Sequence, residues 1–363
     1  MTPRASALCQ TLGIRYPVVQ SGMSRVAGPD LVAAVGNAGG LGILAALRVA
    51  PDDLRAQIRQ IRQATTAPFG VNLWLHPSVV HPIPPEAIDP AARAGAARTL
   101  NEIRSHVGLP SADVAPSQFP ELVAANFDVI LEERVAVWSI GLGNPDPQMV
   151  ARCHDRGISV MAMVTNVDDA RAVAASGVDV VVAQGTEAGG HRSNWREPAG
   201  EAGTMVLVPR IVDAIDKPVI AAGGIVDGRG LVAALALGAS AVMLGTRFIA
   251  TQESIAPPFF KDAVIAAGPG DTIVTRAFTG LPMRALRNRF AAEYGEAPVL
   301  PPMLQSSAAE PIFRRAAEQG NAAYFPMPAG ESAGLVTGLP SAGAVVASII
   351  EEATRAIRDL GGA

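Results

Sequence analysis

Eight short, β-branched apolar runs recur along this chain, and longer stretches of helical character separate most of them. The runs are YPVVQ (16–20), LGILA (41–45), FGVNLWL (69–75), VAVWSIG (135–141), SVMAMV (159–164), VDVVVAQ (178–184), PVIAAGG (218–224) and SAVMLGT (240–246). GPDLVAAVGNAGG, PDDLRAQIRQIRQATT and NVDDARAVAASG lie between such runs, each opening on Gly-Pro, Pro or Asn and closing on Gly or Thr, the punctuation of helix ends. Alternation of this kind indicates βα units and a parallel sheet. Eight units favour an α/β fold closed as a (β/α)8 TIM barrel, with a doubly wound open sheet as the alternative.

The chain is longer than a bare barrel. It has 363 residues, 49% of them hydrophobic, whereas such barrels run to about 250 residues. The surplus falls in two places. Residues 76–133 form a Pro-rich, partly helical excursion after the third run, and residues 251–330 carry APPFFKDAVIAAGPGDTIV, MRALRNRFAAEYG and EPIFRRAAEQG, which resemble packed helices. The expected organisation is a barrel of residues 1–250 plus 331–363 with an added, mainly helical lid domain at 251–330. The stretch SAGAVVASIIEEATRAI (341–357) has helical apolar spacing and should return to the barrel.

Charge and cysteine content narrow the function classes. Net charge is −4 and no Lys/Arg block occurs, so a nucleic-acid partner is not expected and a small molecule is. Cys9 and Cys153 have neither CxxC nor metal-ligand spacing, so no metal or disulfide is expected and a reducing, cytoplasmic setting is. The N-terminus lacks a signal-peptide core. The longest uncharged run, GLVAALALGASAVMLGT (230–246), is broken by a turn-like GAS and reads as a helix followed by a strand, not a membrane span.

In a barrel the chemistry belongs at the C-terminal ends of the strands, and TEAGGHR follows the sixth run directly. Gln184 can offer an amide there, Gly189 and Gly190 can let backbone approach a flat ligand, and His191 can project over it. A loop histidine can equally be a solvent-exposed or capping residue. The seventh and eighth runs end in AAGGI and LGTRF, which puts Gly223, Gly224, Gly245 and Thr246 where barrels bind phosphate, although glycines after strands are also ordinary turn residues. GRGLVA (228–233) fits a dinucleotide-binding pattern but starts several residues past its strand, and no acidic residue ends the next strand, so that match is rejected. His76 also follows a strand, in NLWLHPS, and could face the pocket, but a loop histidine before proline is more often structural, and Glu187 can serve the loop rather than the chemistry.

QSGMS (20–24), GVNLW (70–74), AQGTEAGGHR (183–192), AAGGIVDG (221–228) and LGTRFIATQES (244–254) together resemble the FMN-dependent nitronate monooxygenases, formerly called 2-nitropropane dioxygenases. The resemblance spans nearly the whole chain. The wider flavin-barrel group also includes FMN-dependent enoyl-acyl-carrier-protein reductases, but GGHR and the long loop after it lean toward the nitronate enzymes. The resemblance implies FMN as cofactor, with Gln20, Met23 and Ser24 lining it, Asn72 and Gln184 on its ring, and Gly189 and Gly190 at its border. It places Gly223, Gly224, Gly245 and Thr246 on the phosphate and makes His191 catalytic.

The implied reaction is oxidation of an alkyl nitronate, with propionate 3-nitronate as the candidate, by O2 to a carbonyl compound and nitrite. The alternative is an NAD(P)H-dependent enoyl-thioester or quinone reductase of the same fold. Three positions depart from the family pattern. Gly22 stands where a proline is usual, Leu281 in TGLPMR (279–284) where an arginine is expected, and Glu331 in AGESAGL (329–335) where a glutamine is expected. A carboxylate at Glu331 would disfavour an anionic substrate unless it is paired or turned away.

Overall fold

Apolar residues alternate between two cores along each barrel strand. In β1 (Val18–Gln20), Val18 faces the outer helices and Val19 the interior; β2 (Leu41–Ala45) divides Leu44 and Ile43 in the same way. The computed structural model describes residues 2–117, 119–196 and 200–361. β3 (Phe69–Trp74), β4 (Val137–Gly141), β5 (Ser159–Val164) and β6 (Val180–Gln184) continue the ring, and β7 (Gly190–His191) lies outside it. β8 (Val219–Ala222) and β9 (Ala241–Leu244) complete it, with β9 paired in parallel to β1. All eight expected runs are therefore strands of one closed parallel barrel, which is the TIM-barrel fold.

The interior core is closed from the strand N-termini by the helix Pro3–Leu12, which contributes Leu8, Cys9 and Leu12 to the same cluster as Val19, Ile43, Val182 and Met243. Its proline fits the first turn, where the missing N–H has no partner to lose, and Thr2 caps it by accepting from the Ala5 N–H. With the N-terminal end filled, the C-terminal strand ends face the loops that carry the motifs. Cys9 and Cys153 are both buried in their reduced form.

The helix Ala342–Gly361 returns to the barrel as its spacing predicts, burying Val345, Val346, Ile349 and Ala353. Each of the valine and isoleucine side chains contributes on the order of 1.5–3 kcal/mol when fully buried. The rejected dinucleotide pattern has its explanation here. A Cβ on Gly228 would overlap the backbone of Ala353, and the Gly228 N–H donates to the Glu352 carboxylate at 2.9 Å.

A second large core gathers Phe260, Phe278, Phe290, Tyr294, Ile312 and Phe313 from within 251–330. Leu100 and Ile103 of the helix Pro90–His106 join it, so part of the 76–133 excursion packs with this segment. Not all of the segment is helical. TIV, read in sequence as the end of a helical stretch, belongs to β10 (Thr272–Thr275), which pairs antiparallel with β11 (Met283–Leu286); β11 pairs in turn with β7, setting Met283 opposite His191 and Arg284 opposite Gly190. This three-stranded sheet seats the 251–330 segment on the loop after β6. Among the described residues no helix is long and apolar enough to cross a membrane, and no group of His, Cys, Asp or Glu could hold a metal ion.

Candidate functional site

The loop after β6 is built by buried polar bonds. Gln184, at the strand end, donates from Nε2 to the His191 carbonyl at 2.9 Å and accepts the Ser193 N–H at Oε1 at 2.8 Å. Each atom keeps one further hydrogen-bonding position. Arg192 lies buried and donates to the carbonyls of Gly185 and Gly200 at 2.6 and 2.9 Å. Removal from water, then the Arg284 charge, lowers its pKa to about 10, so it remains a cation held by carbonyls. Glu187 accepts from the N–H and hydroxyl of Thr204 at 2.9 Å, at the start of the helix Thr204–Val212. A carboxylate there is favoured by the helix dipole, and Glu187 serves the loop.

The two glycines ahead of His191 are required for different reasons. A Cβ on Gly189 would overlap the backbone of Ala329 and Gly330, so glycine is required here for the close approach of the 329–331 segment. Gly190 has φ 78° and open space where a Cβ would point, so its constraint is the left-handed backbone. The 329–331 segment that Gly189 admits is also bonded to the opposite loop. Gly330 donates its N–H to Thr246 Oγ1 at 2.9 Å, and Glu331 donates its N–H to the Glu187 carbonyl at 2.9 Å.

Gly223 and Gly224 turn left-handed after β8, with φ 110° and 71°. Gly245 precedes the short helix Thr246–Ile249 after the neighbouring β9. Among the described residues, the N–H groups of Gly224 and Thr246 have no acceptor. Met23 approaches Gly245, its Sδ 3.3 Å from where a Cβ would stand, and Ser24 is exposed on the same loop. Gln20 is buried and stitched to β2, accepting the Ile43 N–H at 3.2 Å and donating to the Ile43 carbonyl at 3.3 Å. Asn72 donates to Ser139 Oγ at 3.1 Å and packs under Gly22, where a Cβ would lie 2.7 Å from that of Asn72. Glycine in place of the usual proline thus lets the first loop settle on Asn72.

His191 sits where these loops meet. Its Nε2 shares a 2.8 Å hydrogen bond with Thr279 Oγ1, and the edge of the Trp74–His191 pair is T-shaped, with centroids 4.6 Å apart and planes at 73°. Removal from bulk water, then the Arg48 and His76 charges, depress its pKa to about 3. The imidazole is therefore neutral at neutral pH. His76 is a helix cap: its Nδ1 accepts the Ser78 N–H at 3.1 Å.

The other two departures from the family pattern also have local explanations. Leu281 is buried, with 6% exposure. Glu331 pairs with Arg284, Oε1 to Nη2 at 3.1 Å, and Arg284 also donates to the Thr186 carbonyl and Thr272 Oγ1 at 2.9 Å. Thr279, Trp74, Arg284 and Arg48 were not singled out from sequence. Thr279 and Arg284 lie in TGLPMR, but linear spacing carries no sign that this motif closes on GGHR.

The model of the nitronate monooxygenase family matches residues 5–352 of this chain. The chain belongs to the nitronate monooxygenase family. Within that family it is 35% identical to a probable nitronate monooxygenase of Staphylococcus saprophyticus, over 94% of this chain and 96% of that protein. A probable nitronate monooxygenase of Staphylococcus aureus strain Newman is 34% identical over 95% and 96%. Among solved structures it resembles the nitroalkane oxidase from Streptomyces ansochromogenes with a TM-score of 0.88 and 35% identity, covering 98% of this chain and 99% of that one. FabK from Thermotoga maritima follows at 0.77 and 33%, covering 98% of each. The family is flavin-dependent, and this member is an oxidoreductase.

Proposed function

We propose that this protein is an FMN-dependent nitronate monooxygenase that oxidises alkyl nitronates, propionate 3-nitronate among them, to a carbonyl compound and nitrite with O2. The observation that carries the reading is the neutral His191 held on Thr279 at the C-terminal mouth of the barrel. An imidazole with so low a pKa is a weak base at neutral pH, because general-base catalysis works best when the pKa lies near the working pH. It suits a substrate that arrives already deprotonated, as a nitronate does. In this reading His191 hydrogen-bonds a nitronate oxygen and orients the reacting carbon, and Thr279 holds the ring in place.

The residues present fit FMN. Gly224 and Thr246 offer N–H groups that have no acceptor among the described residues, beside the left-handed Gly223 and the loop residue Gly245, where backbone amides can receive a phosphate. Met23, Asn72, Gly189, Gly190 and the free positions of Gln184 would border the ring, while Gln20 and Ser24 would support the first loop. Bound FMN would supply the redox chemistry by accepting electrons from the nitronate. The 251–330 segment would act as the lid, with Thr279 and Arg284 its contacts to the loop after β6.

The test uses purified protein loaded with FMN, in air, without a nicotinamide. Propionate 3-nitronate or a small alkyl nitronate should consume oxygen and release nitrite. Rapid anaerobic bleaching by NADH or NADPH, with no nitrite from any nitronate, would instead favour an enoyl-thioester or quinone reductase, the alternative that the similarity to FabK keeps in view.

A further inference from the structure

Arg48 follows β2 with a left-handed backbone, φ 63°, a conformation that costs a residue with a Cβ on the order of 1 kcal/mol or more and persists only when its surroundings enforce it. Here they do. The buried Asn126 donates from Nδ2 to the carbonyls of Ala46 and Val49, on either side of Arg48, at 3.2 and 2.9 Å. The strained turn aims the guanidinium into a cleft walled by Leu73, Val79, Ile83, Phe119 and Leu304.

In that cleft the guanidinium has little to neutralise it. Its Cζ stacks 3.5 Å from the centre of the Phe119 ring, and Nη2 donates to Ser306 Oγ at 2.7 Å and contacts Met303 Sδ at 3.9 Å. Among the described residues Nε and Nη1 have no hydrogen-bond partner and no carboxylate lies within ion-pair distance. Glu310, whose charge Arg48 feels, is itself paired with Arg25 at 2.9 Å. Arg48 remains solvent-accessible, so a ligand can reach it.

The Arg48 charge is felt at His191, where it helps to lower the imidazole pKa, so the two groups lie within electrostatic reach of one another. Thr279, bonded to His191 through its hydroxyl, accepts the Met303 N–H at its carbonyl at 3.1 Å, and Met303 presents its sulfur to Arg48. Met303 is itself left-handed at φ 71°. One residue pair thus separates the neutral imidazole from the cation.

We infer that Arg48 is a specificity-determining residue that binds a carboxylate at the far end of the nitronate, selecting short acidic nitronates over neutral alkyl ones. The inference rests on the nitronate reading. A guanidinium with two free donors on an apolar, aromatic wall suits a carboxylate, which it can grip through parallel hydrogen bonds. The neutral His191 could not supply that charge complement.

The test is calorimetric binding to the FMN-loaded enzyme of 3-nitropropionate, which carries the carboxylate, and of 1-nitropropane, which lacks it. Arg48→Asn keeps a residue tolerant of the left-handed backbone and removes the charge. It should weaken 3-nitropropionate by about 10- to 100-fold, the range of a charged hydrogen-bonded contact, and leave 1-nitropropane within about twofold. Arg48→Lys, which keeps the charge but not the parallel pair of donors, should restore only part of the binding, and Ser306→Ala, which removes the bond aiming the guanidinium, should weaken the acid alone by several-fold. Equal losses for both ligands, no loss for either, or no binding of 3-nitropropionate by the wild-type enzyme would each overturn the assignment. Absence of nitrite from every nitronate would instead sink the functional reading, and calorimetry would still decide the role of Arg48.

Discussion

His191 and Thr279 lie 88 positions apart in the chain, and their side chains share a 2.8 Å hydrogen bond between Nε2 and Oγ1. The bond crosses from the loop after β6 to the segment leading into β11, whose Met283 stands in register opposite His191. Backbone pairing therefore fixes the position of the histidine, and the hydroxyl fixes its ring. If the histidine acts on substrate, each should have a separable effect.

Replacing His191 should cost far more than replacing Thr279. His191→Asn removes the imidazole while keeping a polar side chain, and loss of a positioned catalytic group typically lowers rate by about 10²- to 10⁴-fold. Thr279→Val keeps the shape and removes the hydroxyl, so the ring is retained but less well oriented, with an expected loss of about tenfold, the scale of one hydrogen bond. Stopped-flow turnover with a nitronate, alongside the flavin absorbance of each variant, checks the order. A His191→Asn enzyme with full activity would leave the histidine a structural residue.

The depressed pKa of His191 sets the expected pH behaviour. In the folded protein the ring is neutral above about pH 3, whereas an unfolded chain protonates near pH 6.5. Between those values the unfolded state binds the extra proton, so this residue's contribution to stability is fully present above pH 6.5 and is lost as pH falls toward 3. Turnover of a preformed nitronate should accordingly show no His191 ionisation between pH 5.5 and 8. A wild-type kcat/KM inflection near pH 6.5 that disappears in His191→Asn would contradict the neutral-donor role.

The barrel was legible because each strand carries its own apolar run, but strand ends depended on contacts. VDVVVAQ yields a strand only from Val180, since the Asp179 carboxylate accepts the Val160 N–H at 2.7 Å just before it. PVIAAGG stops at Ala222, where Gly223 and Gly224 turn left-handed. The sheet of β7, β10 and β11 was not legible. Two residues, Gly190 and His191, have no strand propensity to detect, and the pairing exists only because a distant hairpin reaches them. For the same reason the sequence drew attention to His191 but could not name Thr279, Trp74 or Arg48 as its surroundings.

Gly189 and Gly190 should respond differently to alanine. Gly189→Ala drives a methyl into the Ala329–Gly330 backbone, and overpacking of this kind costs about 1–3 kcal/mol. Gly190→Ala meets no neighbour and pays only for its left-handed φ, about 1 kcal/mol. Thermal melts of the two variants should rank Gly189→Ala as the less stable. The reverse order would mean that the 329–331 segment does not rest on this loop.

Arg284 and Glu331 give the last contrast. Glu331 is half-exposed and its pairing with Arg284 is partly screened, so Glu331→Gln should change stability by no more than about 1 kcal/mol. Arg284 has only 13% of its side chain exposed and ties together Thr186, Thr272 and Glu331. Arg284→Met removes all three bonds and strands their acceptors, which should cost about 2–4 kcal/mol and loosen the sheet that carries His191. Denaturant titration measures the first effect and nitronate turnover the second. Because Glu331 already balances Arg284, its carboxylate should not repel an anionic substrate, and Glu331→Gln should leave the KM for a nitronate within about twofold, well below the tenfold that each 1.4 kcal/mol represents. A marked fall in that KM would show that the carboxylate faces the substrate despite its partner.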